Sequence, residues 1–263
     1  MNILSSSSPS SRHRNAILRL LSDEEFAAVA SCADKVGLRA RDVMATQGTP
    51  VQHVFFPYTC VLSVLSYMSN GVSTEIGTIG NEGFSGVELL TGAPLAMQTT
   101  ICQIPGACLK MPAEDFKALA QRPSFRQVLN HSLVAYLAQL AQSIACNRLH
   151  SVEQRFARWM LLTCDRVGSE FFLTQEFLAD MLGVHRPSVS LVAEALQQEG
   201  IIKYHRGRIS ILDRPGLEKR SCECYGMLGA QMRRMHLLVP HALNGEQADV
   251  QSVGMHSRRN IQL

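Results

Sequence analysis

The stretch LTQEFLADMLGVHRPSVSLVAEALQQEGII, residues 173–202, restricts the fold of this chain more than any other. Thr174 predicts the cap of a helix running to about Leu182, with Gln175 and Glu176 in its first turn. Phe177, Leu178, Met181 and Leu182 supply an apolar face, and Ala179 is small where a second helix must come close. Gly183 permits the positive φ that ends a helix and turns the chain sharply. A second helix is expected to start near Arg186. Pro187 fits its first turn, where no backbone donor is needed, and Val189, Val192 and Leu196 face inward. Helix, short turn and helix is the geometry that lays a second helix in the major groove of DNA. It is also the geometry of a plain helical hairpin in a core, so the flanking residues decide.

The outward positions at the start of the second helix are His185, Arg186, Ser188 and Ser190, with Leu191 nearby. Arginine can bridge the O6 and N7 acceptors of guanine, and serine reaches a base edge or a phosphate. After Gly200, IIKYHRGRISIL predicts two strands around Arg206-Gly207-Arg208, a small wing. Lys203, His205, Arg206 and Arg208 put positive charge beside the helix, where phosphates would lie. Formal net charge is only +3, with a pI of about 8.5, so a basic surface has to be local. Between 184 and 208 there are four Lys or Arg against two acids, Glu194 and Glu199. Arg186, Ser188 and Ser190 are therefore expected at bases, and Thr174, Gln175, Lys203, Arg206 and Arg208 at the backbone.

Upstream the texture is different. Nine of the 18 glycines lie between Gly37 and Gly106, among short β-rich runs such as VQHVFFPY, CVLSVLSYM and MQTTICQI. Asn70-Gly71 between two such runs predicts a hairpin. Many short strands separated by turns predict a small antiparallel barrel or sandwich. After Met111-Pro112 the pattern turns helical. Leu129, Leu133, Leu137, Leu140 and Ile144 form one apolar stripe on a helix of about 25 residues, which is expected to pair with its own two-fold mate. Residues 15–35 read as a helix capped at Ser22, 151–172 as another, and LEKRSCECYGMLGAQMRRMHLL as a third near the C-terminus. The fold class is α+β. It divides into a Ser-rich tail (1–14), a β-barrel domain (15–118), a dimerisation helix (119–150), a winged helix-turn-helix (151–225) and a C-terminal extension (226–263).

Of eight scattered cysteines, only Cys222-Glu-Cys224 forms a close pair, and C-x-C without further nearby ligands falls short of a closed zinc site. No metal and no cofactor are expected, and His53 reads as structural. No apolar run is long and clean enough to span a membrane. The N-terminus has no apolar signal core, so a cytoplasmic location is expected. There is no P-loop and no H-E-x-x-H, which argues against an enzyme.

With these pieces in order, residues from about 20 to 225 resemble the Crp/Fnr family of bacterial transcription regulators. The stretch 173–202 followed by GRISILD carries the resemblance most strongly, with VFFPYTCVLSV and IGNEGFSGVELLTG matching the family's β-domain. The resemblance implies a cyclic-nucleotide-binding-like jelly roll and a homodimer bound to a two-fold-symmetric operator on double-stranded DNA. RNA polymerase and a small-molecule effector are the further partners it suggests. It would place an effector pocket at Gly83, Phe84, Ser85, Gly86, Val87, Gln98 and Thr99. The departures bear on that pocket. Gly83-Phe84 stands where cyclic-nucleotide-binding members have Gly-Glu, and Met97-Gln98-Thr99 stands where they have Arg followed by Ser or Thr. No Lys or Arg occurs from 42 to 109, so cAMP is not the expected ligand. Only Cys32 lies near the start, without the cysteine cluster of iron–sulfur members. In the recognition helix Arg186 matches the family's first reading Arg, while Pro187 and Leu191 replace an acid and a second Arg. Leu191 suits a thymine methyl instead. The rival reading is a small-molecule or redox sensor that signals through protein contacts.

Overall fold

The computed structural model describes residues 14–231 of the chain. The expected N-terminal tail, apart from Arg14, and the C-terminal extension from 232 onward lie outside the described residues.

The helical stretch expected over 15–35 forms as two helices, α1 (Ala16–Leu20) and α2 (Asp23–Cys32), with the expected cap at Ser22 starting the second. Ser22 makes the break. Its hydroxyl accepts from the Glu25 amide while the Glu25 carboxylate accepts from the Ser22 amide. This reciprocal cap satisfies two orphan donors and starts a fresh helix.

Seven strands follow: β1 (Asp34–Leu38), β2 (Val43–Ala45), β3 (His53–Pro57), β4 (Val61–Tyr67), β5 (Ser73–Ile79), β6 (Thr99–Ile104) and β7 (Gly106–Pro112). They pair as two antiparallel sheets, ordered β1-β7-β3 and β2-β6-β4-β5. The expected antiparallel barrel or sandwich forms as two separate sheets that do not close into a barrel. Strand β2 has three residues and a register shift between Val43 and Ala45, too little ladder to carry pairing from one sheet to the other. The Asn70-Gly71 hairpin forms as expected, with Gly71 at φ 82°.

The two-residue period of each strand decides what it joins. In β3, Val54 and Phe56 enter a core with Phe84, Phe116 and Phe125, while Phe55 enters the layer between the sheets with Leu62, Val64, Cys102 and Cys108. In β4, Leu62 and Val64 point into that layer. Val61 and Leu65 point the other way, into a core shared with Phe156, Trp159, Leu178 and Leu182 of the C-terminal half. The two halves are thus packed on one another. Removing a fully buried ring such as Phe116 costs about 3–5 kcal/mol.

Helix α3 (Ala113–Leu119) leads into α4 (Pro123–Leu149), which at 27 residues is about 40 Å long. The leucine stripe does not form one outward face. Leu129 is fully buried and Leu133 packs against the same core. Leu140 lies against Gly77 of β5, where a Cβ would meet its Cδ2 at 2.6 Å. What α4 exposes is Val134, Leu137, Ile144 and, at its last residue, Leu149, at 52, 54, 73 and 74%. Periodicity marks a helix, but β5 claims one side of it.

Helix α5 (Val152–Val167) starts at a second reciprocal cap, Ser151 with Gln154. Then come β8 (Glu170–Phe172), α6 (Gln175–Leu182), α7 (Arg186–Gln198), β9 (Ile202–His205), β10 (Arg208–Ile211) and α8 (Arg214–Arg220). Strands β8, β10 and β9 form a third antiparallel sheet in that order. The helix expected through LEKRSCECYGMLGA is interrupted: α8 ends at Arg220, and the chain turns at 221–223 before a helix resumes at 224. Among the described residues no helix is long and apolar enough to cross a membrane.

Candidate nucleic-acid interface

Helix α6 begins where the Thr174 hydroxyl accepts from the Phe177 amide and ends at Gly183, whose φ of 61° turns the chain. Its last carbonyl, Leu182, accepts from buried Arg155 Nη1 at 3.0 Å, a cation where the helix dipole favours one. Helix α7 starts at Arg186 with Pro187 beside it. Val189, Ala193 and Leu196 are buried and Val192 packs against them, so this face is fixed to the core. The opposite face carries His185, Arg186, Pro187 and Leu191, with Leu191 exposed at 69%. Ser188 is half-buried. Ser190 donates to Gln175 Oε1 at 2.8 Å, a bond that sets α7 against the start of α6. These two side chains are engaged with each other, so they position the helices.

The wing is a tight hairpin. Arg206 and Gly207 both have positive φ, 48° and 83°, the pattern of a two-residue turn matched to strand twist. A Cβ at Gly207 would meet the Phe172 ring at 2.6 Å. Tyr204 donates to the Leu173 carbonyl at 2.6 Å, which ties β9 to the segment leading into α6. Burial pushes its hydroxyl pKa up, so it remains a donor.

Arg186, Lys203, Arg206 and Arg208 are all exposed, and among the described residues none is in a salt bridge. Elsewhere arginines are engaged: Arg214 with Asp165 and Glu218, Arg220 with Glu153 and Glu199. Glu199, one of the two acids near α7, is thus neutralised. The field of this face is more positive than the residue count implies.

The expected effector residues do not converge. Phe84 is buried, its ring 5.8 Å from Phe56 and 5.6 Å from Phe116. It plugs the core where an effector pocket would need an opening. Ser85 accepts from the Phe55 amide, and Thr99 accepts from the Gln47 amide. Gly86 holds φ 78° with Val54 and Val51 where a Cβ would go. Gly83, Phe84 and Val87 do border a cleft against Ser132, Tyr136 and Gln139 of α4, while Gln98 and Thr99 do not reach it. Its internal volume is about 20 Å³, room for about one water. A cation from α5 blocks the neighbourhood further: Arg166 donates to Glu82 through Nε at 3.1 Å and to Thr78 Oγ1 at 2.6 Å.

Sequence reasoning missed that bridge, because Glu82 and Arg166 are 84 residues apart. It also missed that Cys146 and His150 stand beside Cys222 and Cys224. The i, i+4 spacing of Cys146 and His150 was the available signal.

Residues 154–220 match the family of Crp-like helix-turn-helix domains. No curated protein matches the chain. Among solved structures, FixK2 from Bradyrhizobium japonicum superposes with a TM-score of 0.62 at 16% identity, over 72% of this chain and 98% of its own. A CRP-family transcriptional regulator from Thermus thermophilus gives 0.60 at 17%, over 72% and 96%. The c-di-GMP-responsive global regulator CLP of Xanthomonas campestris gives 0.59 at 13%, over 72% and 99%.

Proposed function

We propose that this chain, which carries a Crp-like helix-turn-helix on the fold of Crp/Fnr regulators, is a sequence-specific DNA-binding transcription regulator that works as a homodimer. One observation carries the reading: Arg186, the one Lys or Arg that α7 holds, stands exposed beside a wing with three further cations in no salt bridge among the described residues. Arg186 reads a base pair in the major groove and Ser188 assists. Leu191 contacts a thymine methyl. Lys203, Arg206 and Arg208 take phosphates, while Thr174 and Gln175 hold the register at the start of α6. Each subunit of the dimer reads one half of an inverted repeat. The small internal volume of the cleft and the lack of any Lys or Arg from 42 to 109 speak against a cyclic nucleotide as effector.

Selection of bound sequences from random duplex DNA, at two salt concentrations, tests this. An inverted repeat is expected, with affinity falling steeply as salt rises. Arg186→Ala is expected to lose roughly 1–3 kcal/mol of specific affinity, and Lys203→Ala to reduce the salt slope by about one. Recovery of no motif, with and without cell extract, would favour signalling through protein contacts.

A further inference from the structure

The end of α4 and the chain after α8 meet in a small cluster of sulfur and nitrogen. Cys146 and His150 are one turn apart at the end of α4, and the turn at 221–223 brings Cys222 and Cys224 onto them. Cys146 Sγ lies 3.5 Å from Cys222 Sγ, and Cys224 Sγ lies 3.6 Å from His150 Nδ1. All four ligand atoms fall within 4.8 Å of one another, and the three cysteines are buried. A tetrahedral zinc with ordinary bond lengths would hold its ligand sulfurs about 3.8 Å apart and a sulfur and nitrogen about 3.6 Å apart.

We propose that Cys146, His150, Cys222 and Cys224 bind one structural Zn²⁺ in a closed Cys₃His site that fastens the DNA-binding half to the end of the long helix. The surroundings fit this use. His150 Nε2 lies 3.2 Å from Glu223 Oε2, which puts the proton on Nε2 and turns the Nδ1 lone pair toward the sulfurs. Gln142 Nε2 donates to Cys224 Sγ at 2.9 Å, a bond that a thiolate accepts better than a thiol. Arg158 is buried with an Nε–H that finds no acceptor, and its charge acts on Cys146. Three thiolates and a zinc ion carry one net negative charge, which Arg158 offsets.

Binding displaces three protons to solvent and forms three Zn–S bonds and one Zn–N bond, with no change of oxidation state. Three soft thiolates select zinc over magnesium or calcium, and four protein ligands leave no open position for catalysis. His150 caps α4 and Ser151 caps α5, so the ion would sit at the junction between the long helix and the first helix of the DNA-binding half. The site rests on its own geometry and does not depend on the DNA-binding reading.

Metal analysis of the full chain, purified without chelators or a metal-binding tag, is the test. About one zinc per chain is expected. Replacement by Co²⁺ should give tetrahedral ligand-field bands with thiolate-to-cobalt charge transfer. Cys222→Ser with Cys224→Ser should abolish both. Glu223→Gln keeps all four ligands and should weaken zinc about 10- to 100-fold against a chromogenic chelator. A folded chain that takes up neither zinc nor cobalt would overturn the proposal. So would a Cys146–Cys222 disulfide found by mass spectrometry in freshly purified protein, or zinc retained by the double serine variant.

Discussion

Glu75 of β5 shows what one residue can report about the packing of the two halves. Its carboxyl group is enclosed by Ser63 at 2.6 Å, Gln103 at 2.9 Å and Trp159 Nε1 of α5 at 3.3 Å. Burial pushes its pKa up to about 7, against those hydrogen bonds and the charge of Arg166, which pull it down. The folded protein therefore holds this proton more tightly than the unfolded chain does. Stability from the proton is present below the ordinary carboxyl value of 4.5 and is lost as pH rises through about 7. The expected loss is about 3 kcal/mol across that window. Urea unfolding of the wild type and Glu75→Gln at about pH 5 and about pH 8 checks it. The stability gap should move against the wild type at the higher pH, and a constant gap would show the carboxyl titrating normally. Nothing in STEIGT marks the Glu75 carboxyl group as enclosed, since its partners come from three other elements. Thr174, Gly183 and Pro187 were legible because caps, turns and first-turn prolines act within four residues. Cys222 and Cys224 were seen only as a pair, since the other half of their cluster lies 74 and 76 residues back along the chain.

Helix α4 was legible as an element and misread as a face. Apolar residues at spacings of three and four identify the helix, but not which apolar residues its own chain will cover. Leu129, Leu133 and Leu140 are consumed by the β-domain, while Val134, Leu137 and Ile144 stay outside. The proposed dimer must bury this second set. In a two-fold interface each position counts twice, so Leu137→Glu with Ile144→Glu would remove about 6–12 kcal/mol of apolar burial. Light scattering after gel filtration should show a monomer that keeps its helical circular dichroism. Affinity for an inverted repeat should fall a hundredfold or more, while affinity for a half-site stays the same. A dimer that survives both charges would move the interface elsewhere. The sheets teach the same lesson: β-rich runs between turn residues showed strands, but closure depended on how much ladder β2 had to offer.

At the scale of the molecule, the recognition helix is oriented through a core that the two halves share, and one buried ion pair crosses that seam. Arg166 of α5 reaches Glu82 beyond β5 and also Gln139 of α4 at 3.4 Å, with side-chain exposures of 6 and 16% for the pair. Gly80 leaves the space, since a Cβ there would meet Arg166 Cδ at 2.5 Å. The bridge thus joins sheet, long helix and DNA-binding half at a single point. Truncating one partner leaves a buried charge alone, so Arg166→Met is expected to cost about 3–5 kcal/mol. Adding Glu82→Gln removes the stranded carboxylate and should return part of that loss, giving a coupling energy of about 1–3 kcal/mol in a double-mutant cycle. Denaturant unfolding supplies the four stabilities. If the bridge fixes the orientation of α7, Arg166→Met changes DNA affinity although it touches no DNA-facing residue, and the double variant keeps that change while regaining stability. Additive losses with unchanged affinity would mean that the shared apolar core around Trp159 sets the orientation by itself.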